Sequence, residues 1–171
     1  MDKSKELVEI AKKTRLKNGS QFIIGDILDH DKTYGQYDAV TIFGAISTFD
    51  DLKDLIKKLS LHTRKHLIMQ NCFNPYPYDV LIKHREFNSS LDIQEDFESG
   101  FNLYSLEYMY SILNELKFKV ISEELYRMTD FIPKTNSSSL RNYNCIMDGE
   151  VMTTNQLGVC FNEYIIIASK I

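Results

Sequence analysis

The sequence predicts an α/β domain in which a mostly parallel sheet carries helices on both faces and ends in an antiparallel hairpin and strand. Three observations support this fold class. Short, continuous apolar runs rich in β-branched residues are typical of strands buried on both faces. Between them lie segments whose apolar residues recur at helical spacing, as in domains that alternate strands and helices. Near the carboxyl end an Asp-Gly pair separates two apolar runs, which indicates a β-hairpin.

The size and composition fit one globular domain. The chain has 171 residues, of which 43% are hydrophobic and 26% are charged. A chain of this length buries roughly two-thirds of its unfolded surface, and this composition is typical of folded proteins. No internal repeat divides the sequence, so we expect a single domain over residues 1–171.

The first half of the chain contains two predicted helices and three predicted strands. Residues 4–17 carry apolar side chains at helical spacing, and the Asn-Gly pair at residues 18–19 supplies a left-handed helix stop. Thr48, with Asp51 three residues later, resembles a capping box and predicts a helix through Leu59. Continuous apolar runs predict strands at residues 21–27, 37–44 and 66–72.

The second half begins with a segment of different character, residues 73–103, which we interpret as an inserted lid or substrate cap. It contains a Pro-Tyr-Pro-Tyr sequence and a short helical stretch near residues 79–84. It also carries an acidic patch at Asp92, Glu95, Asp96 and Glu98. Ser105 then predicts the N-cap of a helix. Strands are predicted at residues 118–122 and 164–168, with the hairpin turn at residues 148–149.

Charge and hydropathy exclude several functional classes. The net charge is -4 with acidic and basic residues interleaved, so we expect no surface suited to nucleic acid. No apolar run approaches the ~20 residues of a membrane-spanning helix. Charged residues follow Met1 where a signal peptide would be apolar, so we expect a cytosolic protein with no membrane partner.

The cysteine and histidine patterns predict no metal site. Cys72, Cys145 and Cys160 are far apart and form no Cys-x-x-Cys pair, so we interpret them as small buried hydrophobic residues. Among the histidines only His62 and His66 have i, i+4 spacing, and they straddle the predicted boundary between a helix and a strand.

The order of these elements and the residues at their ends resemble the class I S-adenosylmethionine-dependent methyltransferases, of the type that acts on small molecules. Five segments carry the resemblance: residues 2–4 with the helix that follows, 24–27, 37–46, 105–118 and 163–170. They cover nearly the whole chain. The resemblance implies a Rossmann-like methyltransferase fold, S-adenosylmethionine (SAM) as cofactor and a metabolite or sugar as methyl acceptor.

The resemblance assigns cofactor contacts to two aspartates. Asp2 matches the acidic residue that accepts hydrogen bonds from the ribose hydroxyls, a task suited to an acceptor-only carboxylate. Asp26 matches the residue that receives the adenine amino group, with Ile27 beside the ring. The alternatives are a helix N-cap or a disordered terminal residue for Asp2, and a surface aspartate at a strand end for Asp26.

A third cofactor segment lies at the end of the next strand. Phe43, Gly44 and Ala45 match the residues that approach the methionine part of SAM and the methyl acceptor, at the carboxyl end of a parallel strand. Gly44 has an alternative role in a tight turn from strand to loop. Many relatives carry a histidine just past this glycine, whereas this chain has Ser47 and Thr48, so no catalytic base is assigned.

The methyl acceptor is expected to bind on the lid side of the domain. Candidate lining residues are Tyr76, Tyr78, His84, Tyr104 and Tyr108. The alternative for these aromatic residues is a place in the core. Because a sulfonium is already a good leaving group, positioning and desolvation can supply most of the rate acceleration without a dedicated base.

The chain departs from the family pattern in ways that leave a second hypothesis open. Lys117 replaces a glycine before the strand at residues 118–122, and the first strand with its glycine-rich cofactor loop is missing, so we expect an N-terminally truncated domain. One hypothesis is a SAM-dependent methyltransferase for a small molecule; the other is a catalytically inactive, methyltransferase-like remnant that binds proteins. A short-chain reductase is disfavoured because the chain has neither a Tyr-x-x-x-Lys pair nor a glycine fingerprint. Loss of a central strand exposes a sheet edge, so we expect a second copy, another chain or a rearranged strand to cover it.

Overall fold

The computed structural model describes residues 1–14, 20–29, 34–84, 98–99, 101–127, 143–147, 149–155 and 158–171. The helices in these residues are α1 (Lys5–Lys13), α2 (Leu52–His62) and α3 (Leu106–Glu115), with a 3-10 helix at Ile46–Thr48. The first strands are β1 (Tyr37–Phe43), β2 (Thr63–Asn74), β3 (Lys83–His84), β4 (Glu98–Ser99) and β5 (Tyr104–Ser105). The remaining strands are β6 (Phe118–Tyr126), β7 (Tyr143–Met147), β8 (Glu150–Thr154) and β9 (Cys160–Lys170).

Seven of these strands form one mixed sheet. Its order is β1-β2-β9-β8-β7, with β5 paired to β2 and β6 paired to β9. β1 and β5 run parallel to β2, whereas β9 runs antiparallel to β2 and β6. β3 and β4 form a separate antiparallel pair. The predicted α/β class and the antiparallel carboxyl-terminal strands are confirmed.

The main core lies between one face of this sheet and the helices α2 and α3. Leu55 of α2 and Met109 of α3 are fully buried there against Met69 of β2 and Ile166 of β9. Full burial of such a side chain contributes about 1.5–3 kcal/mol, so this layer is the principal source of stability. None of the described helices is both long and apolar enough to cross a membrane.

A side-chain cap begins each of the three α-helices. Ser4 Oγ accepts a hydrogen bond from Leu7 N–H (3.2 Å) at the start of α1, and Ser105 Oγ accepts one from Tyr108 N–H (3.1 Å) at α3. The predicted cap at Thr48 is wrong: Asp51 caps α2 by accepting from Asp54 N–H (2.8 Å). Thr48 instead belongs to the 3-10 helix, where its hydroxyl donates to the Ala45 carbonyl.

The strand predicted at residues 21–27 is not formed. Of these residues only Ile24 makes a β-bridge, an isolated parallel one with Asp2. Asp2 N–H donates to Ile23 O (3.1 Å) and Gly25 N–H donates to Asp2 O (3.0 Å). The bridge joins a single residue of each segment. It is not extended into a ladder, because no strand of the described residues lies beside residues 21–27.

The prediction that the strand at residues 37–44 is buried on both faces is also wrong. β1 is the outermost strand of the sheet and pairs only with β2 among the described strands. Val40 and Ile42 pack against the main core, whereas Ala39, Thr41 and Phe43 on the other face are exposed. A strand with one neighbour and helices on one face keeps half of its side chains in solvent.

The segment at residues 73–103 also differs from the prediction in its secondary structure. Residues 79–84 are extended instead of helical: Val80 and Leu103 exchange two backbone hydrogen bonds of 2.8 Å, and Lys83–His84 pairs with Glu98–Ser99. Backbone pairing to the chain entering β5 therefore replaces the helix. Three predictions lie outside the described residues: the Asn-Gly helix stop, most of the acidic patch, and Asp148 of the hairpin turn. The hairpin itself is confirmed by the pairing of β7 with β8, and Gly149 has a φ of 83°.

Candidate cofactor cleft beside β1

A cleft of about 910 Å³ runs along the outer side of β1. It extends from Tyr37 at the start of the strand to Ala45 just beyond its end. Its opposite wall is formed by the bridged segments around Asp2 and Gly25. The cleft therefore lies where the carboxyl end of a parallel strand meets two chain segments that carry carboxylates.

Asp2 is placed in the cleft wall by its backbone bridge to Ile24. Its Oδ1 accepts a hydrogen bond from Ser4 N–H at 2.7 Å, next to the start of α1. Asp2 thus supports the helix start and borders the cleft at the same time. A carboxylate has two oxygens and about four acceptor positions, so this bond leaves acceptor capacity for a ligand.

Asp26 faces the same cleft and is already engaged by two donors. Its Oδ1 accepts Leu28 N–H at 2.9 Å, and its Oδ2 lies 2.8 Å from Lys3 Nζ. The hydrogen bond from Lys3 and the Leu28 amide hold the pKa of this carboxyl below its ordinary value, against a smaller opposing effect of desolvation. Asp26 is therefore a stable anion at neutral pH.

The other predicted cofactor residues divide into two groups. Ile27 and Ala45 line the cleft, and Ile27 is half-buried against the main core. Phe43 and Gly44 do not line it: the Phe43 side chain is 61% exposed, on the strand face turned away from the main core. Gly44 has a φ of 65° and donates its N–H to Gln70 O at 2.8 Å, which makes it the residue that turns the chain out of β1.

Several cleft residues were missed by sequence reasoning. Lys3 lies between Asp26 and the ring of Phe49, with Nζ 5.9 Å from the ring centroid. Gly25 packs closely against Tyr34, since a Cβ there would lie 2.6 Å from Tyr34 Oη and the tyrosine side chain would have to shift. Glycine in a short extended segment was the available signal for such an approach.

The loop that carries Phe49 is held by the segment leading into β5. Tyr104 Oη donates to Phe49 O at 2.7 Å, and Asn102 Nδ2 donates to the same carbonyl at 2.9 Å and to Asp50 Oδ1 at 3.0 Å. Asn102 N–H also donates to Ser47 O at 2.8 Å. Asn102 and Tyr104 therefore fix the loop at the carboxyl end of β1.

The four predicted acceptor tyrosines do not line the cleft. Tyr104 is 3% exposed and is used in the loop contacts just described. Tyr108 packs near it, with ring centroids 6.4 Å apart. Tyr76 and Tyr78 are exposed and outside the cleft, and of His84 only the backbone is described. The structure does not bring the four tyrosines into one pocket.

The described histidines, cysteines, aspartates and glutamates form no group of three or more that could hold a metal ion. His62 Nδ1 lies 2.7 Å from Gly35 O, and His66 Nδ1 lies 2.8 Å from Ser169 Oγ. The i, i+4 spacing of the two histidines therefore corresponds to two separate structural contacts.

The chain has the fold of the class I SAM-dependent methyltransferases, as comparison with solved structures shows. It is similar to magnesium protoporphyrin IX methyltransferase from Synechocystis PCC 6803 with bound SAM, at 12% identity and a TM-score of 0.54, over 99% of this chain and 57% of that one. This chain thus spans less than two thirds of that enzyme's length.

Two further structures show the same fold. A SAM-dependent methyltransferase from Methanosarcina mazei matches with a TM-score of 0.58 and 12% identity, over 99% of this chain and 80% of that chain. One from Clostridium acetobutylicum ATCC 824 matches with a TM-score of 0.53 and 11% identity, over 98% and 72%. No protein-family model and no curated protein matches the sequence.

Proposed function

We propose that this protein is a SAM-dependent methyltransferase that acts on a small-molecule acceptor, and that it works in the cytosol. The observation that carries the proposal is the cleft beside β1, which places Asp2 and Asp26 on one wall and Ala45 on the other. The fold supports it, because the Synechocystis enzyme of this fold was solved with bound SAM. Ligands of open α/β sheets bind at the carboxyl ends of parallel strands, which is where this cleft ends.

The residues present fit the adenosine part of SAM. Asp2 and Asp26 are acceptors for the ribose hydroxyls and the adenine amino group, and Ile27 offers an apolar side chain to the ring. Phe43, Gly44 and Ala45 at the end of β1 remain the proposed segment for the methionine part, although only Ala45 now lines the cleft. When bound, SAM supplies an electrophilic methyl group on a sulfonium.

Lys3 is expected to move when the cofactor binds. Its ammonium occupies one oxygen of Asp26 at 2.8 Å, on an exposed side chain with several rotatable bonds. An exposed ion pair of this kind is worth about 0–1 kcal/mol, so an incoming donor can displace it at low cost.

The methyl acceptor is proposed to bind beside the segment at residues 73–103. Tyr76, Tyr78, His84, Tyr104 and Tyr108 remain the proposed lining residues. Tyr104 contributes indirectly, because its hydroxyl positions the Phe49 carbonyl in the cleft wall. Catalysis by this chain's residues then consists of holding the acceptor in line with the methyl group and excluding water.

The second candidate function is a catalytically inactive protein-interaction domain. The observation that favours it is the outer edge of β1, which has no strand beside it among the described residues and carries exposed Thr41 and Phe43. An uncovered edge is a template for pairing with another strand. A second copy of this chain or another protein is the proposed partner.

Calorimetric titration of the chain with SAM separates the two candidates. A methyltransferase should bind SAM with a dissociation constant in the micromolar range and show a higher thermal midpoint with SAM present. S-adenosylhomocysteine, which shares the adenosine and carboxypropyl groups but lacks the methyl, should compete for the same site. Absence of both heat and thermal shift would reject cofactor binding and leave the interaction domain.

A further inference from the structure

Cys145 and Cys160 bring two thiols together on the side of the sheet remote from the cleft. Their Sγ atoms lie 3.9 Å apart, and both side chains are half-buried and unbridged. Cys145 belongs to β7 and Cys160 begins β9, whereas the cleft follows β1 at the other end of the sheet order. Neither thiol has a role in the proposed methyl transfer.

The hairpin that carries Cys145 is attached to β9 over a short length. Among the described residues, β8 pairs with β9 at Thr153↔Phe161 and Thr154↔Cys160, and Thr154 Oγ1 adds a bond of 3.0 Å to Val159 O. A disulfide needs its sulfurs at about 2.05 Å, so the thiols must approach by about 2 Å. Two described residue pairs join the hairpin to β9, so the approach of the thiols requires the hairpin to shift relative to β9.

We propose that Cys145 and Cys160 form an oxidative modification site, at which a reversible disulfide fixes the β7–β8 hairpin to β9. The oxidant is a low-molecular-weight disulfide such as oxidised glutathione. The thiolate of one cysteine attacks it, forming a mixed disulfide and releasing one glutathione thiolate. The second cysteine thiolate then attacks the protein sulfur of the mixed disulfide and releases the other. Two protein thiols lose two electrons and two protons, and one glutathione disulfide becomes two glutathione thiols.

The proposed disulfide would form close to the segment that leads into β5. Phe161, next to Cys160, packs against Phe101 with ring centroids 4.9 Å apart. Phe101 leads into the segment whose Asn102 holds the cleft loop. The disulfide therefore fixes the hairpin next to this segment, while the cofactor carboxylates on the far side of the sheet keep their contacts.

Equilibration of the full chain in glutathione redox buffers tests the proposal. After acid quenching, alkylation and proteolysis, mass spectrometry should show a Cys145–Cys160 cross-linked peptide pair with the loss of two hydrogens, which dithiothreitol reverses. Closure of this short loop should raise the thermal midpoint by on the order of 5 °C. Cys145→Ser and Cys160→Ser should each abolish the cross-link and the shift.

Cys72→Ser is the matched control, because Cys72 is buried in a small apolar cluster with Leu103 and Phe161. The Cys72→Ser variant should form the Cys145–Cys160 cross-link to the same extent as wild type. If this variant does not fold, the peptides of the oxidised wild-type chain show directly which cysteines are joined. The proposal is overturned if oxidation yields only glutathione adducts, bonds to Cys72, links between chains, or no bond. Because the readout is a covalent bond, it does not depend on SAM binding.

Discussion

At the scale of single residues, Asp26 gives the most direct test of the cleft. Its carboxylate is ionised, because the Lys3 hydrogen bond and the Leu28 amide lower its pKa. Asp26→Asn removes the charge and one acceptor while keeping the shape. Hydrogen bonds to charged groups contribute about 1.5–3 kcal/mol, so we expect the affinity for SAM, measured by calorimetry, to fall roughly ten- to a hundredfold.

Asp38→Asn is the control for this substitution. Asp38 is an exposed carboxylate on β1 that pairs with Arg64 at 3.2 Å and Lys65 at 3.4 Å, and it does not line the cleft. Its replacement should leave the SAM affinity unchanged. Equal affinities for the Asp26 variant and the wild-type chain would place the adenosine site elsewhere.

Glu163 gives a prediction about pH. This side chain is 8% exposed in the middle of the sheet, where Gln70 Nε2 donates to Oε2, and burial raises the pKa of its carboxyl. The pKa of this carboxyl is higher in the folded than in the unfolded state. Its contribution to the free energy of unfolding is therefore fully present below about pH 4.3 and is lost as the pH rises through the folded-state pKa. Glu163→Gln should therefore unfold at a higher temperature than wild type at neutral pH, because glutamine carries no charge to bury.

The comparison with a surface carboxylate checks the cause. Glu124 is exposed on β6, opposite Ile165 of β9. Thermal unfolding at neutral pH and near pH 4 should show a gain for Glu163→Gln that shrinks at the lower pH, whereas Glu124→Gln should show no such change. A gain for the Glu163 variant that is independent of pH would mean that packing, not charge burial, is responsible.

At the scale of single elements, the end of α3 contains a strained residue. Lys117 has a φ of 63°, a left-handed conformation that costs a side-chain-bearing residue about 1 kcal/mol. The family resemblance places a glycine here. We expect Lys117→Gly to raise the free energy of unfolding by about 0.5–1 kcal/mol in urea denaturation, since relief of strain exceeds the added flexibility of the unfolded chain.

Lys117→Ala separates strain from charge. Alanine keeps the Cβ and its left-handed strain but removes the ammonium group, and the backbone bond from Ile171 N–H to Lys117 O (2.9 Å) is available in both variants. The alanine variant should therefore match wild type. Equal stabilisation by alanine and glycine would assign the effect to the removed charge.

Local signals predicted the elements well wherever the cause was local. Ser4 and Ser105 cap their helices as their sequence context indicates, and the apolar run around Ile166 forms a buried strand. Thr48 failed because a 3-10 turn inserts before the helix, so the cap falls on Asp51. The local pattern does not determine whether the preceding loop brings Thr48 or Asp51 to the N-cap position of α2.

At the scale of the whole molecule, the failures share one physical cause. Residues 21–27 and β1 both have the apolar composition of buried strands, yet one forms a single bridge and the other is half-exposed. Strand burial depends on neighbouring strands and on helices at both faces, which composition does not reveal. For the same reason only part of the cleft was predicted. The family resemblance assigned Asp2, Asp26 and Ala45 to one site, and all three line the cleft. Lys3, Tyr34 and Phe49 were not predicted, because their positions in the cleft depend on tertiary contacts.

The outer edge of β1, which has no strand beside it among the described residues, yields the last prediction, on self-association. Gly44 N–H bonds to Gln70 O of β2, so by alternation Val40 and Ile42 also direct their backbone groups to β2, whereas Thr41 directs its own to the outer edge. Thr41→Pro therefore removes an outward N–H without breaking a bond to β2.

If strands pair at this edge, sedimentation of the wild-type chain should show a mass that rises with concentration. The Thr41→Pro variant should stay near 19.9 kDa. Val40→Pro, which removes an inward N–H and leaves a carbonyl of β2 unpaired, should instead destabilise the fold by roughly 1–3 kcal/mol. Association that persists in the folded Thr41 variant, or a wild-type chain that is monomeric throughout, would show that β1 is not the interface.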